Sequence, residues 1–281
     1  NDETNNFNDQ AQIRGMEGIV RHALQANKLM DIVMLHFADP SKIEVYNKGQ
    51  VPAVIRNHEK VAERYGIGTI NLAKEVCDRI QAAEFNWKDD FKDLHPSPFG
   101  HEIYTRSISA FLDHSFGILA SGGIPSAHAL PAALDKFSYA SGQYFSVKNA
   151  FELKNWTQVV NWKPTDGVTT RKQYVNLPAL IADQAGAEMK LNFSGTAIGI
   201  CLVAGPDAGI IEYSIDGAAF KKTDLYTQWS GGIHLPWYIM LNDELQDKKH
   251  SITIRTSSEK NTNSKGNACR ILHFLVNSPK N

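Results

Sequence analysis

A chain of 281 residues is long for one domain and comfortable for two, because single cores stop growing at roughly 250 to 300 residues. With 42% hydrophobic and 21% charged residues and a formal net charge of -1, the composition is that of a globular protein; it excludes a disordered chain and offers no charge excess for a nucleic-acid partner. No apolar run approaches the roughly 18 to 20 residues a membrane span needs.

Residues 10–27 repeat Ile13, Met16, Ile19, Val20, Ala23 and Leu24 at three- and four-residue steps, the stripe of an amphipathic helix. "DIVMLHFA" (31–38) is nearly continuous in apolar character, as a strand buried on both faces of a parallel sheet requires. Residues 54–65 read as a helix, "GIGTINLA" (66–73) as a second buried strand, and 73–83 and 98–112 as further helices, with "FNWKDDFKDLHPSP" as the loop between the last two. "ILASGGIPSAHALPAAL" (118–134) is rich in Gly, Ser, Pro and Ala, which suits a linker or crossing segment. Beyond it the pattern turns to β: "AEMKLNFSG", "TAIGICLVAG", "GIIEYSIDG", "SITIRTS" and "CRILHFLVN". In "SIDGAAF", Asp216 and Gly217 tolerate the positive φ of a type I′ hairpin turn. The expected fold class is α/β over residues 1–117, a linker or crossing segment over 118–136, and an all-β, jelly-roll-like sandwich over 137–281.

Cys77, Cys201 and Cys269 lie far apart, with no spacing that suits zinc, so no metal and no cofactor is expected. Packed free thiols are expected in preference to a disulfide between Cys201 and Cys269, whose approach sequence does not decide.

"KDLHPSPFGH" (92–101) places His95 in a Pro/Gly-rich loop just ahead of a helix. Such a loop fixes a side chain by backbone geometry, and imidazole accepts and returns a proton near neutrality, which suits a general base. With "ND" at residues 1–2, this block resembles the SGNH or GDSL family of serine esterases, in which a histidine preceded by an acid completes a Ser-His-Asp triad. The resemblance covers residues 1–115, and more loosely the β tail, which is similar to the appended sandwich of some bacterial carbohydrate esterases. It implies a flavodoxin-like hydrolase domain, present in part, with His95 as base and Asn1 matching the asparagine that donates to the oxyanion. It also implies an acylated carbohydrate or other small ester as substrate, and a periplasmic or secreted location.

Two departures from the family matter. Its Gly-Asp-Ser nucleophile block and its second glycine block are absent from the 281 residues, so the expectation is a hydrolase whose serine stands upstream or on another chain. The usual Asp-x-x-His spacing would put the acid at residue 92, which is lysine; Asp93 is then preferred, with Asp90 or a backbone carbonyl as alternatives. In the β tail, "DLYTQWSGGIHLPWYIML" gathers Trp229, His234 and Trp237, which read either as a sugar-packing surface or as core and interface aromatics. The leading expectation is a carbohydrate deacylase; the alternative is a non-catalytic carbohydrate-binding or cell-envelope protein with a degenerate hydrolase half.

Overall fold

The computed structural model describes residues 8–119, 124 and 126–278, and the chain divides into two compact units, Asn1–Ala140 and Ser141–Asn281. The first is built from α1 (Asp9–Ala26), β1 (Val33–Leu35), α2 (Pro40–Asn47), α3 (Ala53–Tyr65), β2 (Gly68–Ile70), α4 (Leu72–Gln81) and α5 (Pro98–Leu119), with a single π-helical turn over Trp87–Phe91. β1 and β2 pair in parallel, Met34 opposite Thr69. Both strands are shorter than their apolar runs suggest. The pairing ends with the bond from His36 N–H to Ile70 O, after which the chain turns into α2, whose first turn Asp39 caps by accepting from the Lys42 amide (3.0 Å). The cap followed by Pro40 is a helix signature that the sequence reading passed over.

Successive side chains of β1 face opposite ways and meet separate cores. Met34 packs with Val20, Leu24 and Val61 between α1 and α3. Leu35 packs against Val76, Phe91 and Tyr104 on the side of α4 and α5. Helices on both faces are what a parallel strand pair needs to bury its apolar surface. The Gly/Pro/Ala-rich segment is tied down where it is described. Buried Glu17 accepts the Leu134 amide (2.6 Å), the Asp135 amide (3.0 Å) and the Tyr65 hydroxyl (2.7 Å), while Arg21 donates to Pro131 O (2.7 Å).

The second unit is an antiparallel sandwich. Its strands are β3 (Gly142–Ser146), β4 (Phe151–Lys154), β5 (Thr157–Trp162), β6 (Leu177–Ala182), β7 (Glu188–Gly195), β8 (Ala197–Ala204), β9 (Ile210–Ile215), β10 (Lys221–Asp224), β11 (Leu235–Asn242), β12 (Lys248–Thr256) and β13 (Cys269–Asn277). One sheet has the order β10-β9-β12-β7-β4 and the other β11-β8-β13-β6-β5, with β3 also pairing β13. Alternating residues of β7 and β12, such as Leu191 and Ile252, meet Ile200, Leu202 and Phe274 of the facing sheet in one core. The Asp216-Gly217 turn forms as expected: φ is +52° and +77°, and the Ala218 amide donates to Ile215 O at 3.0 Å. All three cysteines are free and buried, and burial pushes the Cys269 thiol up to about 12. Among the described residues no helix is long and apolar enough to cross a membrane, and no group of three or more His, Cys, Asp or Glu side chains is placed to hold a metal.

Candidate active site

The loop that carries His95 is anchored at the carboxyl end of β1, the edge at which open α/β sheets bind their ligands. Its anchor is Phe91, fully buried at the end of the π-turn, whose ring lies 5.6 Å from that of Tyr104 on α5. The Tyr104 hydroxyl in turn accepts the Ala38 amide (3.0 Å), three residues past the end of β1. Burial pushes this phenol above its ordinary value, so it stays protonated.

Backbone bonds then shape the loop. Asn86 caps the π-turn by accepting from the Asp89 amide (2.7 Å), and Asp90 Oδ2 accepts both the Asn86 amide (2.8 Å) and its side-chain Nδ2 (3.1 Å). Lys92 takes φ +79° and ψ -55°, and the Asp93 amide reaches back to Phe91 O (3.2 Å), which is a γ-turn of the rare, strained hand. Phe91 O also accepts the Ser97 amide (2.9 Å). Ser97 donates its hydroxyl to Asp90 O (2.5 Å) and accepts the Gly100 amide (3.3 Å), starting α5 with Pro98 in its first turn.

Within this frame His95 is exposed, and among the described residues no hydrogen bond or ion pair engages its imidazole. Asp93 is also exposed, and its carboxylate accepts the Leu94 amide and does not meet His95. Asp90 is committed to Asn86. The structure thus brings His95, Asp93 and Asp90 onto one ordered loop without joining an acid to the imidazole. Asn1 lies outside the described residues.

A histidine that sequence reasoning did not single out follows β1 directly. His36 is buried, with Nε2 2.9 Å from Glu59 Oε1 and its ring stacked on His58, and Thr69 donates to the other Glu59 oxygen (3.3 Å). Burial, outweighing the Glu59 hydrogen bond and charge, holds His36 below its ordinary value, so the pair is a neutral Nε2–H donating to a carboxylate. A histidine closing an apolar strand run was the available signal.

In the sandwich, Trp229 and Trp237 stand together, ring centroids 5.6 Å apart, with Trp229 41% exposed. Trp237 packs partly against the core. His234 is not part of this surface. It is buried, its Nε2 is 2.9 and 3.0 Å from the two Asp166 oxygens, and its ring meets Trp162 edge-on. Its amide donates to Thr169 O (2.9 Å), and its carbonyl accepts the Thr170 hydroxyl (2.6 Å). His234 therefore holds the 166–170 segment in place, and Asp166, its partner, carried no signal in the sequence.

No family model matches the chain, and no curated protein matches it. Among solved structures, a two-domain esterase described as active on acetylated mannans, co-crystallised with mannopentaose, is similar with a TM-score of 0.70 at 18% identity, over 96% of this chain and 68% of the esterase. A second crystal structure of a two-domain esterase active on acetylated mannans gives a TM-score of 0.68 at 16% identity, over 95% of this chain and 69% of that one. The likeness, at such identities, is one of fold, and the chain has a carbohydrate-esterase-like architecture across both of its units.

Proposed function

We propose that this chain carries the histidine-bearing part of a serine ester hydrolase of the SGNH type, which removes acyl groups, acetyl foremost, from a carbohydrate. The observation that carries the reading is His95 itself: an exposed, unengaged imidazole on a strained loop anchored at the carboxyl end of β1. The fold likeness to esterases supports it. The family's Gly-Asp-Ser block is not among the 281 residues, so the reading assigns the nucleophile to a serine outside them.

In the proposed reaction the serine oxygen attacks the ester carbonyl while His95 takes its proton. The tetrahedral oxyanion is met by donors that include Asn1. Collapse expels the sugar alcohol, which receives the proton from His95, and a water activated by the same histidine releases the carboxylate. Asp93 is the preferred orienting acid. Its carboxylate is held by one backbone amide and is freer to turn toward the imidazole than that of Asp90, which takes two donors from Asn86. Trp229 and Trp237 offer ring faces for the C–H-rich side of a sugar, while His234 fixes the 166–170 segment. The reading implies a periplasmic or secreted location.

The neighbouring alternative is a non-catalytic carbohydrate-binding or cell-envelope protein, favoured by the lack of any bond between His95 and either aspartate. Deacetylation of acetylated mannan and hydrolysis of an aryl acetate, measured on the protein that includes its serine-bearing segment, separate the two. His95→Ala is expected to lower kcat by roughly three orders of magnitude or more, with Asp93→Asn close behind. Trp229→Ala is expected to raise KM on the polymer with kcat on the aryl ester retained. An active His95→Ala enzyme would remove the assignment, and an inactive parent that still binds mannan would establish the alternative.

A further inference from the structure

At the end of the sandwich opposite Trp229 lies an unassigned cleft of about 720 Å³, within the roughly 300 to 1,000 Å³ of small-molecule sites. The strand registers separate the two ends. Ala204 of β8 pairs with Leu235, next to the Trp229 loop, whereas Ala197 at the other end of β8 pairs with Asn277, beside the cleft residues Val276 and Ser278. At about 3.3 Å per residue, the eight-residue strand between them spans more than 20 Å.

Three features give the cleft its character. β4 pairs β7 at Lys190 and Glu188, so the edge of β7 from Asn192 onward has no strand partner on that side among the described residues. Ser194 lies opposite Lys249 and Asn192 opposite Ser251, which sets all four side chains on one face of the β7–β12 pair. Among the described residues the side chains of Asn192, Ser194 and Lys249 have no hydrogen bond or ion pair of their own. Phe145, partly exposed on β3, adds an aromatic wall.

The polar groups of the wall beside them are already partnered. His250, buried and stacked on Phe193 (5.3 Å), faces an acceptor with each ring nitrogen: Asp216 Oδ2 at 2.7 Å from Nδ1 and Gln246 O at 2.8 Å from Nε2. The Asp216 carboxylate also accepts the Ser251 amide (2.9 Å), so both of its oxygens are engaged within the wall. What the cleft offers a ligand is therefore an amide, a hydroxyl, an ammonium and a ring face. A hydroxyl-rich molecule with an apolar face uses all four, and the open edge from Asn192 to Gly195 is a short rail for an added peptide strand.

We propose that this cleft binds a sugar residue, as a second carbohydrate site independent of the Trp229 surface and of the esterase reading. The test is amide chemical-shift mapping of the whole chain titrated with mannopentaose and, separately, with glucuronic acid, which Lys249 would favour. Shifts at Asn192, Ser194 and Ser251 are expected with at least one probe at roughly millimolar concentration, weakened about ten-fold or more in Asn192→Ala/Lys249→Ala and unchanged in Trp229→Ala. Both changes fall on exposed side chains, and a Ser194→Trp variant, which fills the cleft and leaves Asn192, Lys249 and the His250 wall in place, should abolish the shifts as well. Absence of shifts with both probes, shifts confined to the Trp229 end, or shifts that persist in the double variant would overturn the proposal.

Discussion

Gly100 lies so close to Phe91 that a side chain there would place its Cβ 2.9 Å from the ring, and 2.6 Å from the Cβ of Pro96. The absence of a side chain on this turn of α5 is what lets the His95 loop fold back over the helix start. Gly100→Ala gains about 1 kcal/mol of helix propensity but forces the loop outward, at a cost of about 1 to 3 kcal/mol for overpacking. A net loss of stability is expected in thermal unfolding, together with a drop in the proposed esterase activity larger than that of a solvent-facing α5 control such as Arg106→Ala.

Lys92 is the residue whose backbone bears the strain of the γ-turn, at φ +79°. Glycine adopts that conformation freely, whereas a β-branched side chain resists it. Lys92→Gly is expected to keep stability within about 1 kcal/mol and to keep activity, while Lys92→Val loses about 1 to 3 kcal/mol. Equal behaviour of the two variants in urea unfolding would mean that the turn relaxes without cost.

Glu17 is fully buried and accepts from two backbone amides and the Tyr65 hydroxyl. Removing its carboxylate leaves those donors without partners, each costing about 1 to 3 kcal/mol. Glu17→Ala should therefore free the 131–135 stretch from α1, seen as faster hydrogen exchange at the Leu134 and Asp135 amides. Glu17→Gln, which keeps an acceptor, should show a smaller change.

His36 predicts a pH dependence with a definite sign. Burial holds it below its ordinary 6.5 against the opposing pull of Glu59, with His58 and Lys42 adding smaller effects that also lower it. The unfolded chain takes up the proton first as pH falls. Stability from this site is therefore fully present above about pH 6.5 and lost as pH drops through the folded value, by at most about 1.4 kcal/mol per pH unit. Hydrogen exchange at the His36 and Ala73 amides, which bracket the β1–β2 end, should quicken between about pH 7.5 and 5 beyond the intrinsic rate change, and His36→Gln should lose that excess.

What local chemistry decides was legible from the chain alone. Ser97 and Pro98 start α5, the Asp216-Gly217 pair makes its hairpin turn, and the apolar runs at β1 and β2 form parallel strands, because capping, φ preference and burial pattern act over a few residues. His95 was singled out for the same reason: its loop is written in adjacent prolines and glycine. Sequence did not carry the pairs that form across long separations. Asp166 and His234 are 68 residues apart, and Glu17 and Asp135 are 118 apart. Nor did it distinguish Trp229, which faces solvent, from His234, which is buried, although only five positions separate them. Which aromatic is exposed depends on the path of neighbouring segments over it, and whether a carboxylate meets an imidazole depends on competing donors such as the Asn86 and Leu94 amides. Those competitions are settled only when the whole chain has packed, since each buried polar group must find its partner among all the surfaces that packing brings within reach.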